Sequence, residues 1–186
     1  AALDAGAVEA ALLRSDAAMA VGAGLDILAP EASLLVDVGA GKISATLFTR
    51  GLVAAYAYLP YGVLRIDERL ARMLRTERGY LVGPKTAEDI KQSMAAADGG
   101  AGVGMRVAGL NLQTRLPEIF EVEPEMVMRA SESVIAEILG MAASVVDNAP
   151  EELAADLNDT ACVLAGGGAL LPGLDKRIGD HLGIPC

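Results

Sequence analysis

The chain has 186 residues, enough for one domain with a sizeable core or for a domain carrying a smaller lobe. Hydrophobic residues make up 53%, yet Trp is absent and Tyr and Phe number only 4 and 2. The core must therefore be built from Leu, Val, Ile, Met and Ala, and aromatic stacking on nucleobases is disfavoured. A formal net charge of −10 argues against nucleic acid and anionic lipid as partners and leaves small neutral or Mg-complexed ligands, and proteins, open.

The N-terminus begins abruptly in AALDAGAVEAALL, which suggests a piece of something longer. No basic segment followed by an apolar one marks a secretion signal, and no run reaches the ~18 apolar residues of a membrane-spanning helix. After the short apolar run 10–13, DAAMAVGAG (16–24) predicts a closely packed helix capped by Ser15 or Asp16. Three strand-like runs follow at 33–38, 43–50 and 52–59, separated by GAGK and RG turns in the pattern of an antiparallel meander. Ile66, Leu70, Met73 and Leu74 give helical spacing over 65–78, with Gly79 as the stop.

A second helix is predicted from Thr86, whose spacing to Asp89 resembles a capping box. Gly99 to Gly104 reads as a connector, and 105–122 as two short strands. Pro124 opens a long helix that continues through Asp147. A short buried strand at 161–164 leads through AGGGALLPGLDK into a last helix. The order βββ, α, inserted lobe, α, β, α predicts an α/β fold, a mixed sheet flanked by helices. The expected division is a main subdomain of 1–81 and 123–186 with an inserted α+β lobe of 82–122.

Two stretches carry candidate chemistry. In Asp37 to Lys42 (DVGAGK), an Asp at the end of a strand precedes a glycine-bearing hairpin. Its backbone N–H groups suit phosphate, and its carboxylate suits the water shell of Mg²⁺. An ordinary hairpin would read much the same. In VLAGGGALLPGL, Gly166, Gly167 and Gly168 let a ligand lie against backbone at a helix start, although a tight turn also uses glycine. Glu88 and Lys91 share a helix face, where such a pair is ordinarily a solvated ion pair. His181 has no partner at a useful spacing and reads as structural or surface. Cys162 reads as a small buried hydrophobe; without a CxxC spacing, two cysteines favour a reducing interior such as the cytoplasm.

In order, LLVDVGAG, the helix with IDERL, GPKTAEDIK, EELAADL, GGGALLPGLDK and GIPC resemble the bacterial actin family, of MreB and MamK type. The resemblance implies an actin-like ATPase domain of ribonuclease H-like fold, the second of two that close over Mg-ATP. It also implies filaments built with itself or another actin-like protein, membrane-associated protein partners, and a cytoplasmic, cytoskeletal role such as cell shape or magnetosome alignment. By that resemblance Asp37 positions Mg²⁺ through water. Gly39, Ala40 and Gly41 form the phosphate hairpin with Asp37, Gly166 to Gly168 line the adenosine side, and Glu88 and Lys91 approach the ribose and adenine. Lys42, outside the family pattern, is expected to offer phosphate a cation in exchange for lost hydroxyls.

Three departures from the family pattern surround that pocket. Lys42, Ile43 and Ser44 stand where the family has two hydroxyl residues and an acid. Arg14, Ser15 and Asp16 stand where it has a water-positioning carboxylate, for which only Asp16 is a nearby substitute. Val63 and Leu64 replace the residues after Gly62 and are expected to narrow or close the pocket. The expectation is a degenerate ATPase acting in filament formation or scaffolding. The alternatives are an active ATPase using Lys42 and Asp16, or a docking module of a larger protein.

Overall fold

A computed structural model describes residues 1–96, 104–153 and 162–186. The main sheet has the order β3-β2-β1-β7, built from β1 (Ser33–Val38), β2 (Ile43–Thr49), β3 (Leu52–Leu59) and β7 (Cys162–Ala165). The first three form the expected antiparallel meander, while β7 runs parallel to β1 and makes the sheet mixed. β2 stops at Thr49, one residue short of the expected end, because Arg50 turns to φ 50° in the tight link to β3. β7 was expected to be a buried strand starting at 161. It is an edge strand in which only Cys162 is buried, and residue 161 lies outside the described residues.

Period-2 alternation splits the sheet side chains between two helix layers. Leu34, Val36, Val38, Ile43, Ala45 and Leu47 face the larger core, against α2 (Leu64–Glu77), α4 (Pro124–Asp147) and α5 (Leu174–Leu182). Leu35 and Phe48 face the other way, where α1 (Ser15–Gly22) adds Ala20. α4 spans the expected limits, with Met126, Ala130, Val134, Ile138, Met141 and Val145 buried along one stripe. Fixing φ, Pro124 is suited to the first turn that it occupies.

Two helix starts differ from expectation. The N-cap of α1 is Arg14, not Ser15 or Asp16, and Asp16 sits inside the first turn. α3 (Pro84–Ala96) starts at Pro84, leaving Thr86 inside it; Ala87 N–H bonds the Gly83 carbonyl at 3.1 Å, so the turn closes before a capping box at Thr86 is reached.

A second sheet has the order β4-β5-β6: β4 (Tyr80–Leu81), β5 (Met105–Asn111) and β6 (Pro117–Val122). Most of the glycine connector before β5 lies outside the described residues, as does EELAADL beyond Leu153. Val107, Phe120 and Val122 join Ala87 and Ile90 in the larger core, so the small sheet is continuous with the main body. The Tyr80 and Phe120 rings stack at 4.0 Å. Among the described residues no helix is long and apolar enough to cross a membrane.

Candidate functional site

The carboxyl ends of β1 and β7 lie side by side because the two strands are parallel, and the chain leaves both through glycine turns. At the end of β1 the hairpin 39–42 closes with Gly39 N–H donating to the Lys42 carbonyl at 2.9 Å. Two of its carbonyls face the start of α2. Val63 N–H donates to Gly39 O at 3.0 Å, and Leu64 N–H to Ala40 O at 3.1 Å. The N-terminal amides of α2, which lack partners within the helix, are thus used to hold the hairpin.

Gly62 permits that approach, since a Cβ there would stand 2.2 to 2.3 Å from Gly39 O and the Ala40 carbonyl. Val63 and Leu64, the two residues after Gly62, differ in their surroundings. Val63 is a core residue, 6% exposed and packed toward Gly168 and Val38, and Leu64 is 49% exposed.

Gly166 and Gly168 answer to packing as much as to any ligand. A Cβ on Gly166, at φ 83°, would meet Val38 O at 2.6 Å and Asp37 Oδ1 at 2.8 Å; one on Gly168 would meet Val38 Cγ1 at 2.4 Å and Val63 Cγ1 at 2.8 Å. Of the three, only Gly167 has open space around it.

Asp37 pairs across the strands with Ser44 and is half-buried. Among the described residues it accepts no hydrogen bond, and burial pushes its carboxyl above the ordinary value while Lys42 pulls it back. Lys42 itself rests 5.7 Å above the Tyr56 ring. A carboxylate without a hydrogen-bond donor, set against glycine backbone, is donor chemistry that fits hydrated Mg²⁺ on a phosphate. No group of three His, Cys, Asp or Glu among the described residues would cage a metal without such a ligand.

The Glu88–Lys91 pairing expected on α3 does not form. Glu88 binds Lys85 at 3.1 Å, whereas Lys91 is buried and donates to Asp67 of α2 at 2.8 Å and to the Val63 carbonyl at 3.4 Å. Asp67 is 4% exposed and its Oδ1 has no hydrogen-bond partner among the described residues; burial pushes its carboxyl up, against the pull of Lys91. Asp67 was not among the expected site residues. Its signal lies in LRIDERL, where it occupies the buried stripe with Ile66, Leu70 and Leu74, and a charge on an apolar stripe calls for a buried partner.

Asp16 is not a free base. Its carboxylate accepts from Arg14 Nε at 3.0 Å, from the other arm of that guanidinium, from Ala17 N–H at 2.9 Å and from Thr46 Oγ1 at 3.4 Å. The Arg14 hydrogen bond holds its carboxyl below the usual range despite partial burial. His181 is exposed on α5, as expected for a surface residue.

A family model described as MreB/Mbl protein matches residues 1–186. The cell shape-determining protein MreB of Escherichia coli (strain K12) is 32% identical over 182 residues, covering 97% of this chain and 52% of that protein. Crystal structures of MreB5 of Spiroplasma citri bound to AMPPNP and to ADP match with TM-scores of 0.89 and 0.87 at 26% identity, covering 99% of this chain and 56% of each. The chain thus spans about half the length of the curated relatives it matches.

Proposed function

This chain belongs to the MreB/Mbl family and has its actin-like fold, and from that premise we propose that it is the second half of a cytoskeletal filament subunit that binds Mg-adenine nucleotide and hydrolyses it poorly. The observation that carries the reading is the half-buried Asp37 carboxylate, without a donor among the described residues and set against the Gly166 turn. In this reading Asp37 holds Mg²⁺ through water, and backbone of Gly39, Ala40 and Gly41 takes the phosphates. Gly167 marks the open side of the adenosine cradle between Gly166 and Gly168. Bound Mg²⁺ would neutralise phosphate charge. Residues 82–122 act as the small lobe, with β4 pairing onto it from just outside that range.

Weak hydrolysis follows from Asp16, whose four hydrogen bonds leave no oxygen to orient a water. Lys91 reaches a ribose only by leaving Asp67, which adds a cost to nucleotide binding.

The test is sedimentation and electron microscopy of the purified protein with Mg-ATP, with Mg-ADP and without nucleotide, while phosphate release is followed. Filaments under all three conditions with phosphate release at background agree with the proposal. Assembly confined to ATP and accompanied by steady turnover overturns the hydrolysis part, and no assembly in any condition overturns the filament part.

A further inference from the structure

The small sheet buries one face and exposes an apolar one. Val107 and Phe120 pair across β5 and β6 and turn inward, joining Ala87 and Ile90 of α3 in the core. By alternation the pairs Ala108 with Ile119 and Leu110 with Pro117 turn outward, and Leu81 of β4 stands beside Leu110. The hairpin end adds Leu112 and Leu116, and the four leucines and Ile119 are 37% to 65% exposed. A sheet with one packed face ordinarily shows water a polar one, so an apolar stripe of this kind marks a contact surface. α3, which carries Glu88 and Lys91, packs on the inner face, so the stripe turns away from the nucleotide side.

Arg106 and Glu121 form the remaining outward pair. They stand opposite each other and both are exposed, yet among the described residues neither side chain makes an ion pair. The Glu121 backbone carbonyl accepts from Arg78 at 3.4 Å, which leaves the carboxylate free. A second copy satisfies both charges at once. Laid face to face on a two-fold axis parallel to the strands and midway between β5 and β6, each copy sets its β5 over the other's β6, about 10 Å away. That operation brings Arg106 over the partner's Glu121 and Glu121 over the partner's Arg106, while Ala108 meets Ile119 and Leu110 meets Pro117. A two-fold axis across the strands would instead set the charged row over the leucine end, so the charges select one orientation.

We propose that the outer face of the small sheet is a self-association surface, on which a second copy of this chain docks as a two-fold dimer through the leucine stripe and reciprocal Arg106–Glu121 ion pairs. The contact does not rest on the nucleotide reading, because it uses neither the hairpin nor the glycine turn. Being isologous it closes on itself, so it ties two subunits or two filaments together sideways and does not extend one filament.

The purified protein is followed by sedimentation velocity without nucleotide, at graded concentrations below those that pellet filaments. A dimer that grows with concentration is expected, and Ile119→Lys, at an exposed position that the fold does not need, should abolish it. Arg106→Glu and Glu121→Arg each set like charges face to face in both pairs and should weaken dimerisation by about tenfold or more. Mixing those two variants restores opposite charges in both pairs, so the mixture should dimerise where each alone does not, a recovery that a folding defect cannot produce. A monomer at every concentration overturns the proposal and leaves the stripe to a different protein. A dimer indifferent to Ile119→Lys places the contact elsewhere, and single variants that stay apart on mixing rule out the two-fold arrangement; either result overturns it.

Discussion

At the residue scale, Gly62 and Asp16 show how single positions set the site. The space around Gly62 is filled by the hairpin carbonyls, so Gly62→Ala must push the hairpin off the start of α2 and break the bonds from Val63 and Leu64. Overpacking of that kind costs about 1–3 kcal/mol, read as a lower urea midpoint at unchanged slope. In the nucleotide reading, affinity should fall with it, because Asp37 stands at the end of β1 that leads into the same hairpin. Asp16 gives a pH signature. Its folded-state value is depressed, so its contribution is present at neutral pH and is lost as pH falls through that depressed value. With Arg14 60% exposed, solvent screening limits the effect. Asp16→Asn should destabilise by about 1 kcal/mol at neutral pH, and the gap to the unsubstituted protein should close on acidification below the ordinary carboxylate range. A gap independent of pH would mean that the Arg14 pair contributes nothing.

At the scale of elements, the Asp67–Lys91 bond ties α3, which leads toward the small sheet, to α2, which holds the hairpin. Both groups are buried, so removing one strands the other charge. Asp67→Asn should cost roughly 3–5 kcal/mol, whereas Asp67→Leu with Lys91→Met should lie near the unsubstituted protein in chemical denaturation. Equal losses in the single and double variants would show that the pair is no latch. The spacing of Glu88 and Lys91 pointed to a pair within α3 because side chains three apart on a helix are neighbours. The tertiary fold offered Lys91 a better-desolvated carboxylate on another helix, and Glu88 turned to Lys85 instead.

At the scale of the whole molecule, a net charge of −10 works against association of like copies. If the filament reading holds, added monovalent salt should screen that repulsion and promote assembly, with light scattering rising severalfold as the screening length shortens toward ~10 Å near 0.1 M. Scattering that falls with salt would instead point to attractive charge contacts between subunits.

The sequence by itself determined the elements, because periodicity and punctuation are local. Strand-like runs punctuated by the GAGK and RG turns wrote the meander of β1 to β3, and the apolar stripe wrote α4 from Pro124 to Asp147. It also carried the family resemblance, which the match over residues 1–186 bears out. Only the tertiary structure decided what each of these residues meets: Asp67 for Lys91, Arg14 for Asp16 and the hairpin for Gly62. Those partners stand 24, 2 and 23 positions away, and for the distant ones no local pattern encodes the meeting. Burial then gives such contacts their weight, since a charge or a close approach matters most where water cannot replace it.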